Sequence, residues 1–555
     1  MTEKIIITIK NVFKRELAWV WIFGFVSSLI LAALSAKNKL PLGKGDFVFL
    51  ALIALLVALY RPRWIFFLFV GSITLENIIL AGGFLPIQLR PYQFLGGILI
   101  LALAILYGSK RLGFKLLKPI WVDWLIFSLI PPSFLALIGA SSKTISLKNN
   151  FILISFTALY YLIRNFIRSR EDLIKTAFFF TISFITTILF GFYQVLADKF
   201  SAKSFEVMFG RPNSTFAEPD WLGVFLCFAL AVFLALIFYF LRAKQKTLIP
   251  KKYILLFLDI LIFLDVTLIV LTLSRSAWAG SAAVMVFYLL IILAGSRKGL
   301  PRFVSVEADT AQKIHNLNFK SFLREGAILA FIIFISLAAV RVGGLSKFNI
   351  FDRARSAATS EQKITIACDS DINIPASIGD VSELAKYSCQ HINLEEIDNY
   401  KSRGKIVTQI YRKDPNVKTR SKIYRESFEI IKQNPIFGIG YGTITQKLGQ
   451  DQRGAGLNES NIFLQVWAGS GILGLMAFIF AIGYLFIYGF RRISPVCPLN
   501  KIIGRLIVKD DYERTTNAFA VLGIAALLIP NLFNAGLFMG IFWLGLAVII
   551  SAKDI

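Results

Sequence analysis

Residues 419–442 read T-R-S-K-I-Y-R-E-S-F-E-I-I-K-Q-N-P-I-F-G-I-G-Y-G, and residues 456–475 read G-L-N-E-S-N-I-F-L-Q-V-W-A-G-S-G-I-L-G-L. The stretch closes a long polar segment and re-enters an apolar one, with its charges gathered at the boundary. The spacing places Ile423, Phe428, Ile430 and Ile431 on one face of a short helix over about 421–433, while Arg425, Glu429 and Lys432 stay in water. Pro435, Gly438 and Gly440 then stop that helix and turn the chain. On chemistry alone this is a surface helix that leads through a linker into a membrane span.

Working outward, the rest of the chain is more apolar still. With 555 residues, 56% hydrophobic, 52 Phe and a mean hydropathy of +0.66, a soluble domain is excluded. Apolar runs near 17–36, 46–60, 63–82, 92–108, 120–140, 150–168, 174–196, 221–241, 253–272, 274–295, 325–340, 462–490, 516–533 and 535–551 approach the ~20 residues that cross a bilayer as a helix. Backbone groups in hydrocarbon must pair within the chain, so these runs are helices. The expected fold is all-α, a polytopic membrane protein with about 12–14 transmembrane helices and one large extracytoplasmic loop. Its parts are a helical region over 1–340, a loop domain over 341–460 and C-terminal transmembrane helices over 461–555.

The formal net charge of +26 is a topology signal. With the N-terminus in the cytoplasm and the spans alternating, 32 Lys and Arg fall on inside segments and 10 on the short outside loops. That distribution excludes nucleic acid as the partner of the basic charge. The first apolar run is long enough to span and more spans follow it, so it reads as an uncleaved first helix. The protein is expected in the cytoplasmic (inner) membrane, multi-pass, with both termini inside and its working face outside.

Several polar residues stand out against this background. Glu76 and Asp123 fall inside or near spans, where a carboxylate is costly and is a functional candidate by default, or else a neutral or interfacial group. Asp259 and Asp265 are six residues apart, which puts them roughly 120° apart around a helix and makes a poor carboxylate pair. Cys368 and Cys389 are two of four cysteines. Cys227 lies in a span and Cys497 on the inside, so Cys368 and Cys389 are expected to form a disulfide in an oxidising exterior. They flank an acidic, polar stretch at 365–400 that reads as a small inserted subdomain. Its acids and His391 lack metal-ligand spacing, and a solvated face is the simpler reading.

Only two histidines are present, which leaves little material for a Ser-His-Asp triad. No P-loop, GxSxG, HExxH or CxxC pattern occurs. G-I-G-Y-G lacks the Lys-Ser/Thr of a phosphate cradle and reads as a turn. What remains is three arginines that topology places on the outer face, Arg211, Arg275 and Arg420. Arg211 precedes Glu218, Pro219 and Asp220, which suit the first turn of the next span. Arg275 stands between two spans with almost no loop around it. A charge there faces a cavity, a phosphate or a partner, or else snorkels to the interface.

These elements, in this order, resemble the bacterial O-antigen ligase and polymerase family from about residue 150 to the end. The matching features are R-x-x-x-T-F-x-E-P at 211–219, S-R-S-A at 274–277, Arg420 four residues before Tyr424, N-P-x-x-G-x-G at 434–440, and a polar-Asn pair, Ser460–Asn461, opening a span. The resemblance implies a fold like that of lipid-sugar-dependent (GT-C-like) glycosyltransferases, with no metal or other cofactor. It also implies transfer or polymerisation of a polyprenyl-diphosphate-linked oligosaccharide onto a hydroxyl of a glycan, lipid or protein acceptor. Arg275 and Arg420 are then expected in catalysis, and Arg211, Glu218, Ser460 and Asn461 in substrate binding. Converging arginines suit a diphosphate, because planar forks bond its oxygens bidentately and stabilise the leaving charge. The family places a His immediately before the Asn as general base. Here Ser460 stands in that position, and Glu459 is the nearest residue able to take the role. A transporter or flippase of lipid-linked glycans is the alternative, although no repeated halves are visible.

Overall fold

The computed structural model describes residues 15–84, 88–200, 202–242, 250–294, 308–369, 374–392, 396–450, 456–493 and 511–554. A helix forms at each apolar run. The N-terminal half holds α1 (Arg15–Ala36), α2 (Lys44–Tyr60), α3 (Pro62–Gly71), α4 (Pro91–Gly108), α5 (Trp121–Phe127), α6 (Ile130–Leu135), α7 (Lys143–Phe166) and α8 (Arg170–Lys199). There follow α9 (Pro219–Arg242), α10 (Lys251–Thr272), α11 (Arg275–Ala294), α12 (Ala308–Val342) and α13 (Ile350–Thr359). Nine helices among the described residues are long and apolar enough to cross a membrane. The protein is a multi-pass helical membrane protein.

Two expected spans depart from that pattern for local reasons. The run near 63–82 is helical only to Gly71, and residues 72–81 continue as irregular, mostly buried chain. Ser183 of α8 makes this stop possible, its hydroxyl donating to the end carbonyls of Val70 (3.0 Å) and Gly71 (2.9 Å). The run near 120–140 is cut into α5 and α6, with Pro131 and Pro132 in the first turn of α6.

At the centre stands α9, buried along most of its length and packed on α10, α11 and α18 (Asp511–Leu528). Trp19, Phe23, Phe49 and Leu56 on the peripheral α1 and α2 are exposed, as side chains facing lipid must be.

The loop domain contains the one departure from an all-helical chain. The polar insert is a four-stranded sheet of β1 (Glu361–Cys368), β2 (Ser377–Ile378), β3 (Cys389–His391) and β4 (Ile406–Lys413), in the order β2-β4-β1-β3. Ile364, Ile366 and Cys368 alternate along β1 and close a small core with Ile378, Leu384, Cys389 and Ile410. Cys368 lies opposite Cys389 in the antiparallel β1–β3 register, and the two are joined as a disulfide.

Between β3 and β4 lies α14 (Ile397–Ser402), and after the sheet come α15 (Pro415–Ile431), α16 (Ile444–Leu448), α17 (Ile462–Ile493), α18 and α19 (Gly540–Asp554). The helix expected at 421–433 is α15, begun six residues earlier. Ile423 and Ile431 are buried, but Phe428 is 44% exposed, its ring edge-on to Trp467 instead of in the core. Helix α17 is broken at Gly471 (φ 62°, ψ −170°). The turn 435–440 fills the break: Ile439 and Gly440 N–H groups donate to the Ala468 carbonyl (2.8 and 3.0 Å), and Ile472 N–H donates to Pro435 and Ile436 carbonyls. Gly438 and Gly440 have φ of 84°, so the glycine-rich turn serves as a backbone clamp on a broken span.

Two buried ion clusters pin α19 at its ends. Glu76 pairs with Arg90 (3.0 Å) and accepts the Gly540 N–H (2.8 Å). Arg164 of α7 grips Asp123 of α5 (3.1 Å) and Asp554 of α19 (2.6 Å). The two intramembrane acids singled out in the sequence, Glu76 and Asp123, are therefore structural partners of arginines. Asp265 is fully buried, with neither carboxyl oxygen hydrogen-bonded among the described residues, and Asp259 is only half-buried, on another side of α10. Replacing Arg164 by Met strands the Asp123 carboxylate and is expected to cost about 3–5 kcal/mol. A lowered thermal midpoint in detergent would read this, with Asp554→Asn, at a 35% exposed carboxylate, much milder.

Candidate active site

The break between α10 and α11 organises the site. Leu273 takes left-handed backbone (φ 53°) and ends α10, and Arg275 opens α11 two residues later. The last carbonyls of α10 have no helical partner and sit at its negative end. Arg211 Nε donates to the Thr272 carbonyl (2.9 Å), and Arg353 Nε of α13 donates to the Leu273 carbonyl (3.4 Å).

Arg211 is held there by a buried segment, residues 212–216. Gln194 of α8 receives the N–H groups of Asn213 (3.1 Å) and Ser214 (2.7 Å) and donates to Asn213 Oδ1 (3.2 Å). Thr215 Oγ1 ties the same segment to the Thr74 carbonyl at 2.7 Å. Arg211 reaches Asp220 in the first turn of α9 at 3.5 Å. Glu218 precedes Pro219 and is half-buried; its carbonyl accepts the Leu222 N–H (3.2 Å).

Arg275 pairs with Asp414 (2.8 Å), whose carboxylate is wholly buried and also accepts from Ser356 Oγ (2.7 Å). Asp414 closes β4 and leads into α15, so the ion pair fastens the loop domain to the membrane bundle. Burial, then the neighbouring Arg211 and Arg275, push the Arg353 guanidinium down to about 10 against the pull of Asp414 and Asp220. Three guanidiniums thus gather in a partly buried place, with Asp220 and Asp414 beside them. Such a site favours an anion.

A second group lies beside the first. The Arg420 guanidinium stands over the Phe533 ring at 5.7 Å. Tyr424 donates to the carbonyls of Ser460 (3.1 Å) and Leu532 (3.2 Å). Asn461 caps α17, its Oδ1 accepting from Phe463 N (2.8 Å) and Leu464 N (3.1 Å), while its Nδ2 donates to the Leu532 carbonyl (3.0 Å). Ser460 has left-handed backbone (φ 48°), and its N–H donates to Asn458 Oδ1 (2.9 Å). The turn after α18 joins the groups, because Asn534 Nδ2 donates to Ser276 Oγ beside Arg275 (3.2 Å).

Glu459 is 3% exposed, and burial raises its carboxyl to about 7 against a hydrogen bond from its own backbone. A carboxyl poised there exchanges a proton near neutrality. It lies close enough to Tyr441 to help burial push that phenol upward.

The structure brings Arg211 and Arg275 together and sets Arg420, Glu459, Ser460 and Asn461 in the adjoining group. Arg353 and Asp414 were missed in the sequence. The signal was faint: D-R-A-R at 352–355 and a single acid before Pro415. Among the described residues no group of three or more His, Cys, Asp and Glu is placed to hold a metal ion.

Fold and site together define a multi-pass membrane protein with a cluster of arginines where helices begin and end. Residues 260–479 match the family model described as O-antigen ligase, which supports the resemblance to that family. The match runs from α10 through the break in α17 and includes Arg275, Arg353, Asp414, Arg420 and Glu459. No curated protein matches the chain.

The raised Glu459 carboxyl has a consequence for stability. Its folded value of about 7 lies above the ordinary 4.5. Between these pH values the folded chain binds more protons than the unfolded one, so stability falls as pH rises and levels off above 7. Glu459→Gln is expected to flatten that slope in thermal midpoints measured from pH 4.5 to 8; an unchanged slope would contradict the assignment.

Proposed function

We propose that the protein transfers an oligosaccharide from a polyprenyl diphosphate to an acceptor hydroxyl at the outer face of the cytoplasmic membrane. The observation that carries this reading is the cluster of Arg211, Arg275 and Arg353 beside Asp220 and Asp414 at the end of α10. The acceptor oxygen attacks the anomeric carbon, the carbon–phosphate oxygen bond breaks, and the diphosphate leaves with the electron pair. Guanidiniums already fixed at that position stabilise the charge as it develops. Glu459 takes the hydroxyl proton, as its raised carboxyl suits. Arg420 and Asn461 border the path from the loop domain, and Ser460, fixed through its carbonyl, stands where the family has a histidine. Transfer is favoured over transport because these arginines lie at helix ends and in loops, while a carrier places its charges at midplane.

The test is an assay of purified protein with a polyprenyl-diphosphate-linked glycan, scoring free polyprenyl diphosphate. Arg353→Gln is expected to lower turnover by about 10²-fold or more, the scale of losing one transition-state donor. Arg353→Lys, which keeps charge without the planar fork, should recover only part of it. The exposed Arg425→Ala should behave as wild type. Full turnover in Arg353→Gln would remove the diphosphate reading.

Sidedness has its own test. Cysteines at the exposed positions Lys148 and Lys401 should react with an impermeant thiol reagent added outside intact cells, and one at Lys110 should not. Labelling at Lys110 would reverse the orientation.

A further inference from the structure

Helix α17 starts beside the arginine site at Ile462 and ends at Ile493, on the opposite side of the bundle. Along its far half an open groove of about 530 Å³ runs between α17 and α5, lined by Trp121, Leu125, Phe480, Gly483 and Ile487, with Arg491 at its end. The groove is apolar except at that end, and its volume is that of a small-ligand site. Trp121 is 49% exposed and stands edge-on to Tyr484 at 4.2 Å, an aromatic pair of the kind that marks a membrane interface.

Positive charge gathers at this end. Lys553 of α19 has its ammonium 3.9 Å from the Tyr484 ring and 3.8 Å from the Tyr488 ring, and no carboxylate at ion-pair distance among the described residues. The two acids nearby are engaged elsewhere: Asp554 is held by Arg164 at 2.6 Å, and Glu513 is paired with Arg492. Arg492 also lies over the Tyr488 ring at 4.6 Å. An ammonium stacked on two tyrosines that line an apolar groove, with no carboxylate at ion-pair distance among the described residues, matches a lipid carrying an anionic phosphodiester.

We propose that this groove is a binding site for an anionic phospholipid of the leaflet away from the arginine site. One acyl chain lies along Leu125, Phe480 and Gly483, and the phosphate sits against Lys553 and Arg491. The lipid would bridge α5, α17 and α19, which also meet through Leu125, Ile126, Phe478, Ile482, Phe542 and Trp543.

The experiment is native mass spectrometry of the full-length protein, delipidated in detergent and titrated with dioleoyl-phosphatidylglycerol or dioleoyl-phosphatidylcholine. Wild type is expected to hold the glycerol lipid about tenfold more tightly. Lys553→Gln should bring it down to the choline lipid's level. Gly483→Leu should weaken both lipids by filling the groove; no atom lies within 4 Å of where a Cβ at Gly483 would stand, so the fold accommodates it. The two variants sit on different helices, so misfolding of one, read by its thermal midpoint, leaves the other as the test. Equal retention of the two lipids by wild type, or unchanged phosphatidylglycerol binding in either folded variant, would overturn the site.

Discussion

The Ala468 carbonyl, accepting two N–H groups from Ile439 and Gly440, is the contact on which the candidate site's end of the molecule depends. A span broken at Gly471 exposes backbone groups that hydrocarbon cannot satisfy. The turn that satisfies them belongs to the segment connecting α15 to α17. Arg420 and Tyr424 on one side of that turn, and Glu459 and Asn461 on the other, are thereby carried to the membrane surface. The packing is close: a Cβ at Gly469 would stand 2.1 Å from the Tyr441 ring. Substitution here would dislodge the turn, and with it the helix and the cap that depend on it.

The arginine cluster obeys the same rule from another direction. Helix ends leave carbonyls unpaired, and the end of α10 is provided with two guanidiniums. Asp414 then pairs with Arg275, and Asp220 with Arg211. These carboxylates make the arginines tolerable in a partly buried place. The loop domain is attached through Ser356 and Asp414, so its small disulfide-bonded sheet is joined at the site and not through a distant linker.

Charges elsewhere in the bundle have a different function. Glu76, Arg90, Asp123 and Arg164 are matched, buried and hydrogen-bonded, and they hold α19 in place from both ends. An intramembrane acid is conspicuous in a sequence for the same reason whether it binds a substrate or a neighbouring arginine, since both roles answer the cost of burial. Composition alone could not separate Glu76 from Glu459. Partners did: one carboxyl faces an arginine, and the other is buried with no cation at ion-pair distance among the described residues.

By itself the sequence determined the class of molecule. Long apolar runs have one solution in hydrocarbon, and a helix stands at every one of them. Order and spacing of short motifs pointed to the O-antigen ligase family, and Arg275, Arg420 and Glu459 lie within the matched residues. Tertiary structure alone decided where helices stop short, as α3 does against Ser183, because the groups that satisfy a broken end come from distant elements. It alone showed that 361–413 is a sheet, since the alternation of Ile364, Ile366 and Cys368 is brief and set in polar surroundings. It alone brought Arg353 and Asp414 to Arg275, which lies 78 and 139 residues away along the chain. Periodicity records which face of a segment is buried, whereas a cluster of charges exists only once separate segments share one place.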